Sequence, residues 1–154
     1  RVTQGATRSS AGHDEQALLA IVRYNRLIDT FLGLTTYSLQ NHLRTTVRDI
    51  GQIEIDELYI GVDKRGCHYI IPVQAKGGKD KIGIVQTTQD IRFVEEKFPG
   101  VKCRAVAAQF MKDKEVALFE LGLQEGEIKV IEERHYRLIP ASKLDQEAIR
   151  DYRD

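Results

Sequence analysis

Cysteine is scarce, net charge is absent and no long apolar run occurs in this chain, and each absence removes a class of protein. The two cysteines, Cys67 and Cys103, form no CxxC and no Cys/His cluster, which excludes a disulfide scaffold and a zinc finger. Both read as small buried apolar side chains in a reducing compartment. No apolar stretch approaches the ~20 residues that a bilayer span needs. No charged leader with an apolar h-region opens the chain, so secretion has no support and a cytoplasmic location is expected. Lys plus Arg and Asp plus Glu each total 23, which excludes a uniformly basic nucleic-acid coat. A local basic patch remains open if the acids lie elsewhere or hold metal ions. No GxSxG, HExxH or GxxxxGKS occurs, so serine hydrolases, zincins and P-loop enzymes drop out.

At 154 residues the chain is expected to form one domain, over residues 13–154, after a small and polar arm over 1–12. It opens on Arg1 rather than Met, which admits further domains beyond it. A helix is expected from Asp14, an N-cap candidate, through Leu18, Leu19, Val22, Ile28 and Phe31 to a stop at Gly33. Leu39, Leu43 and Val47 recur every fourth residue and predict a shorter helix over 37–47. The period then changes to two. QIEIDELYIGV (52–62) alternates, with a phase switch that calls for a bulge near Asp56 and Glu57. Asp63-Lys64-Arg65-Gly66 turns the chain into CHYIIPVQAK, closing a hairpin in which Pro72 removes a ladder donor. A Gly-rich loop, a helix over 84–98, strands over 101–110 and 116–121, edge strands after Gly126 and a helix capped by Ser142 complete the expectation. That order predicts an α/β protein with a mixed sheet flanked by helices.

Chemistry concentrates on the hairpin. Glu54 and Asp56 share one face of the first strand, and Gln74 and Lys76 share one face of the second. With the hairpin closed at 63–66, both pairs converge at one end of the sheet. Two carboxylates and an amide oxygen are hard ligands of the kind Mg²⁺ accepts beside waters. A lysine next to them can hold a phosphate oxygen or stabilise charge on a pentavalent phosphorus. The alternative is a solvated face of cross-strand ion pairs. Against it stands the apolar run Ile70, Ile71, Pro72 and Val73, which marks a central strand.

IEID followed by VQAK resembles the PD-(D/E)xK nuclease superfamily, which includes restriction enzymes, junction resolvases and repair nucleases. The resemblance covers roughly residues 14–121, and its specific part is the hairpin. It implies a restriction-endonuclease-like αβββαβ core with a central mixed sheet. It also implies a Mg²⁺- or Mn²⁺-dependent endonuclease acting on double-stranded DNA and leaving 5′-phosphates. By position, Asp56 matches the metal-ligating acid, Lys76 the catalytic lysine and Glu54 the first residue of an E-x-D variant. Gln74 stands where the triplet usually has an acid, which removes one negative charge and weakens the expected metal affinity.

Glu15 is in phase with Leu18, Leu19 and Val22, so it reads either as a further metal ligand or as an acid at the favourable end of the helix dipole. Lys79 and Lys81 lie in the glycine-containing loop over 76–81 and are candidates for DNA contact, with Arg44 and Gln86 behind them. Arg48 and His42 lie near the hairpin. Glu57 reads as solvated, His68 as a packed strand histidine, and His13 and His135 as unpartnered. Cutting both strands with one site per chain calls for a homodimer. Two rival readings stay open: a nuclease fold that has lost catalysis and serves as a DNA-binding or assembly module, and a junction-resolvase-like enzyme.

Overall fold

In a computed structural model residues 14–139 are described; the expected arm at 1–12, His13 and the helix expected from Ser142 lie outside them. Helix α1 occupies 14–24 and buries Leu18, Leu19 and Val22. The single helix expected through Phe31 is in fact two. Continued straight, the face of Leu18 and Val22 would carry Asn25 and Asp29, polar residues on a buried stripe. The chain instead turns at Arg26, whose φ of 51° is left-handed, and restarts as α2 (Leu27–Leu32). This resets the phase so that Leu27, Ile28, Phe31 and Leu32 face the core. Gly33, with φ of 69°, ends α2 as expected, its N–H donating to the Asp29 carbonyl.

The segment expected as a helix over 37–47 is a strand, β1 (Thr35–Val47). Leu39, Leu43 and Val47 fit a period of two as well as a period of four. Thr35, Thr36, Thr45, Thr46 and Val47 are β-branched and favour the strand. β1 pairs antiparallel with β2 (Gly51–Val62), which pairs antiparallel with β3 (His68–Lys76). The second hairpin closes at 63–66 as expected. Asp63 Oδ1 accepts the backbone N–H groups of Arg65 and Cys67, and Tyr69 Oη donates to Asp63 Oδ2.

Helix α3 (Ile84–Lys97) returns the chain to the sheet, where β4 (Lys102–Cys103) and β5 (Ala105–Phe110) run parallel to β3. β6 (Glu115–Gln124) and β7 (Glu127–Arg137) follow antiparallel. The result is a mixed seven-stranded sheet in the order β1-β2-β3-β5-β6-β7, with β4 also on β3. Pro72 sits where β3's parallel partner is interrupted, between the pairings of Tyr69–Ile70 with β4 and Val73–Lys76 with β5, so its missing N–H coincides with a gap in that ladder.

Two apolar clusters flank the sheet. One joins α1 and α2 to Tyr59, Ile71, Val73, Ala75 and residues of β5 and β6; the other joins Phe93 and Val94 of α3 to Val47, Ile53, Ile55, Leu58 and Ile70. Ile53, Ile55 and Leu58 share the α3-side cluster although their parity differs, so the expected phase switch on β2 is present. The register irregularity itself lies on β1, between Ser38 and Gln40, and His42 of β1 has a left-handed φ of 50°. No helix among the described residues is long and apolar enough to cross a membrane. Cys103 is half-buried, but Cys67, expected in the core, is exposed just after the hairpin turn.

Glu57, expected to be solvated, is fully buried beneath α1, with both oxygens accepting from the Arg23 guanidinium at 2.9 Å. Removing the cation would leave a buried carboxylate without its partner. Arg23→Ala is expected to lower the unfolding free energy by roughly 2–3 kcal/mol in urea titration, the low end for a buried pair because the guanidinium is 40% exposed. The double change Arg23→Met with Glu57→Leu should recover most of it. An unchanged urea midpoint for Arg23→Ala would refute this weight.

Candidate active site

β2 and β3 pair from Val62↔His68 to Glu57↔Val73 and then part. The parting leaves the N–H groups at the end of β3 in need of acceptors on that side. Asp56 supplies one: its Oδ2 accepts the Ala75 N–H at 2.9 Å. The carboxyl is therefore held at the fork between the strands, beside the last residues of β3. Burial raises its pKa, while the Ala75 N–H, Lys76 and the Gln86 side chain pull it back down. Lys76 ends β3, half-buried and in register with Gln109 of the parallel β5, at the carboxyl end of the strands where open α/β sheets build their sites.

Glu15 reaches the same region from α1. Burial raises its pKa, and its charged neighbours are Asp56, Lys76, Asp80 and Glu54. Glu54 is more exposed and is held toward the β1–β2 hairpin: His42 Nδ1 lies 3.2 Å from Oε1 and Arg44 Nε 3.8 Å from Oε2. Gln16 hydrogen-bonds the other nitrogen of His42 and so ties α1 to this chain of contacts.

Gln74 is 1% exposed and both ends of its amide are engaged. Nε2 donates to Thr87 Oγ1 at 2.6 Å, and Oε1 accepts the Gly83 N–H at 3.2 Å. Gly83 is the N-cap of α3 and has no side chain to cap with, so Gln74 performs that service from the sheet. One lone pair of Oε1 remains for another partner.

Lys79 and Lys81 are exposed on the loop after β3, and Gln109 Nε2 pins that loop by donating to the carbonyls of Gly78 and Asp80. Gln86, in the first turn of α3, is a neighbour of Asp56 that helps lower its pKa. Arg44 is exposed on the hairpin, and the Arg48 backbone N–H donates to Glu96. His68, expected to be packed, is exposed. His135, expected to be unpartnered, bridges Glu115 at 2.5 Å and Glu133 at 2.7 Å on the β6–β7 pair.

Sequence reasoning missed Asp90. It lies on the buried face of α3 with Thr87, Ile91 and Val94, is 2% exposed, and its Oδ1 has no hydrogen-bond partner among the described residues. Burial pushes its pKa from 3.8 up to about 8, with Asp56 adding to the rise and Lys76 opposing it. The signal was available as an acid in phase with the apolar stripe of a helix. An orphaned buried carboxyl oxygen with Asp56 as a charged neighbour suits a hard divalent cation. Among the described residues no three His, Cys, Asp or Glu side chains stand grouped at ligand spacing.

Asp90 also predicts a pH dependence. Its folded pKa is raised, so its favourable contribution is complete below the unfolded value and is lost as pH climbs toward about 8. Asp90→Asn cannot ionise and escapes that loss. In EDTA, urea midpoints of the two proteins should diverge in favour of the variant as pH rises through this window, by at most about 1.4 kcal/mol per unit. Parallel curves would show that the carboxyl titrates normally. The chain matches no family model, no curated protein and no solved structure.

Proposed function

We propose that the chain is a divalent-metal-dependent DNA endonuclease domain with a restriction-endonuclease-like fold, the catalytic part of a restriction-type enzyme. The observation that carries this reading is the fork itself: Asp56, anchored on the N–H of Ala75, stands beside Lys76 at the open end of the hairpin. Supporting it, α1 and α2, three antiparallel strands, α3 and then β4 and β5 parallel to β3 follow one another in the order of an αβββαβ core whose first helix is divided. β6 and β7 then extend the sheet.

Asp56 and Glu15 are the carboxylates at the site that would hold Mg²⁺ or Mn²⁺, with the free lone pair of Gln74 Oε1 and, after a side-chain swing, Glu54. Bound there, the cation supplies Lewis acidity toward a phosphodiester and acidifies water. Lys76 holds a non-bridging phosphate oxygen and offsets the negative charge that grows on phosphorus as water attacks. Gln86 steadies Asp56. Lys79 and Lys81 contact the backbone of double-stranded DNA and set register without reading sequence. Cleavage of both strands then calls for two copies of the chain.

One observation favours the rival reading of a nuclease fold that only binds or assembles: the amide of Gln74 is committed at both ends to α3. Supercoiled plasmid separates the two. Mg²⁺ should yield nicked and linear DNA, EDTA should abolish it, and Lys76→Ala or Asp56→Asn should lower the rate by at least about 10³-fold while leaving the fold intact. A wild-type chain that binds DNA and never cuts it would decide for the binding module.

A further inference from the structure

Gln74 leaves the proposed site one acid short, and α3 carries an acid that the fold does not otherwise use. Asp90 is 2% exposed, which is rare for a carboxylate without a partner. The other buried acids of the sheet are paired: Glu57 with Arg23, and Glu120 with Arg104, whose guanidinium donates to both oxygens at 2.9 Å. Asp90 has no such cation, and its Oδ1 has no hydrogen-bond partner among the described residues. Its charged neighbours are Asp56 and Lys76, two members of the site. Thr87, one turn earlier on the same face of α3, holds the Gln74 amide, so the helix that carries Asp90 is fastened to the strand that lacks the acid.

We propose that Asp90 is a further carboxylate of the divalent-cation site beside Asp56, supplying from α3 the charge that Gln74 does not supply from β3. This rests on the metal-dependent reading of the Asp56 site and adds a ligand to it. A buried carboxyl with no donor leaves an acceptor unsatisfied, and a cation shared with Asp56 removes that deficit. Mg²⁺ sites commonly use one or two carboxylates with waters and substrate oxygens, so Asp90 beside Asp56 leaves no need for an acid at position 74.

The test is Mn²⁺ binding to the full chain without DNA near neutral pH, read as loss of the free-ion signal in electron paramagnetic resonance. Thermal unfolding in EDTA checks that each variant is folded. Asp90→Asn and Asp56→Asn should each weaken binding by at least about tenfold, while Glu127→Gln on the β7 edge should not. Should Asp90→Asn fail to fold, Asp90→Ala is read in the same way. Weakening by Asp56→Asn with Asp90→Asn unchanged would overturn the inference and leave the metal-dependent reading standing, Asp90 then being satisfied by water. A wild-type chain that binds no Mn²⁺ would overturn both.

Discussion

The parting of β2 from β3 is the constraint on which the candidate site depends. Up to Glu57↔Val73 the hairpin satisfies its own backbone, and beyond it β3 continues as a central strand held only by β5. A buried N–H left by that parting must find an acceptor, and Asp56 provides it. One hydrogen bond thus does two things. It satisfies the backbone of β3 at Ala75, and it fixes a carboxylate between Gln74 and Lys76. The direction of β3 then sets Lys76 toward the open end, and the depth of the fork raises the pKa of Asp56 through desolvation.

The buried acids of the sheet follow a common rule. Glu57 lies under Arg23, and Glu120 under Arg104, which also donates to the Leu32 carbonyl and lies over the Tyr69 ring. Arg23 ties α1 to β2 and Arg104 ties the β4–β5 junction to β6, and each carboxylate meets a bidentate guanidinium, the geometry that best offsets desolvation. Gln74 follows the same logic with an amide, linking β3 to the first turn of α3. Asp90 departs from it. Its oxygen is left without a partner beneath α3, a cost that the proposed cation contact would offset.

Much of the architecture was legible because its signals were redundant. The hairpin over 52–76 announced itself by alternation, a turn sequence and an apolar second strand, and α3 by its stripe and the Pro99-Gly100 stop. β1 was misread because a spacing of four satisfies both periods, and only its threonines tipped the balance. The break at Arg26 was hidden because a left-handed arginine has no sequence signature, although Asn25 and Asp29 on the expected buried stripe were a warning. At the site, parity alone brought Asp56, Gln74 and Lys76 to one end of the sheet. Parity could not show that Gln74 would be engaged by Thr87 and Gly83, or that Glu57 would meet Arg23 from another element. Those contacts depend on tertiary packing between segments far apart in the chain.

The most direct test of the central claim is the chemistry of the ends left on an end-labelled DNA duplex in a single turnover with Mg²⁺. The account predicts cuts that carry 5′-phosphate and 3′-hydroxyl termini and that a ligase can reseal. Termini with 3′-phosphates, or cuts that persist when EDTA removes the metal, would contradict it.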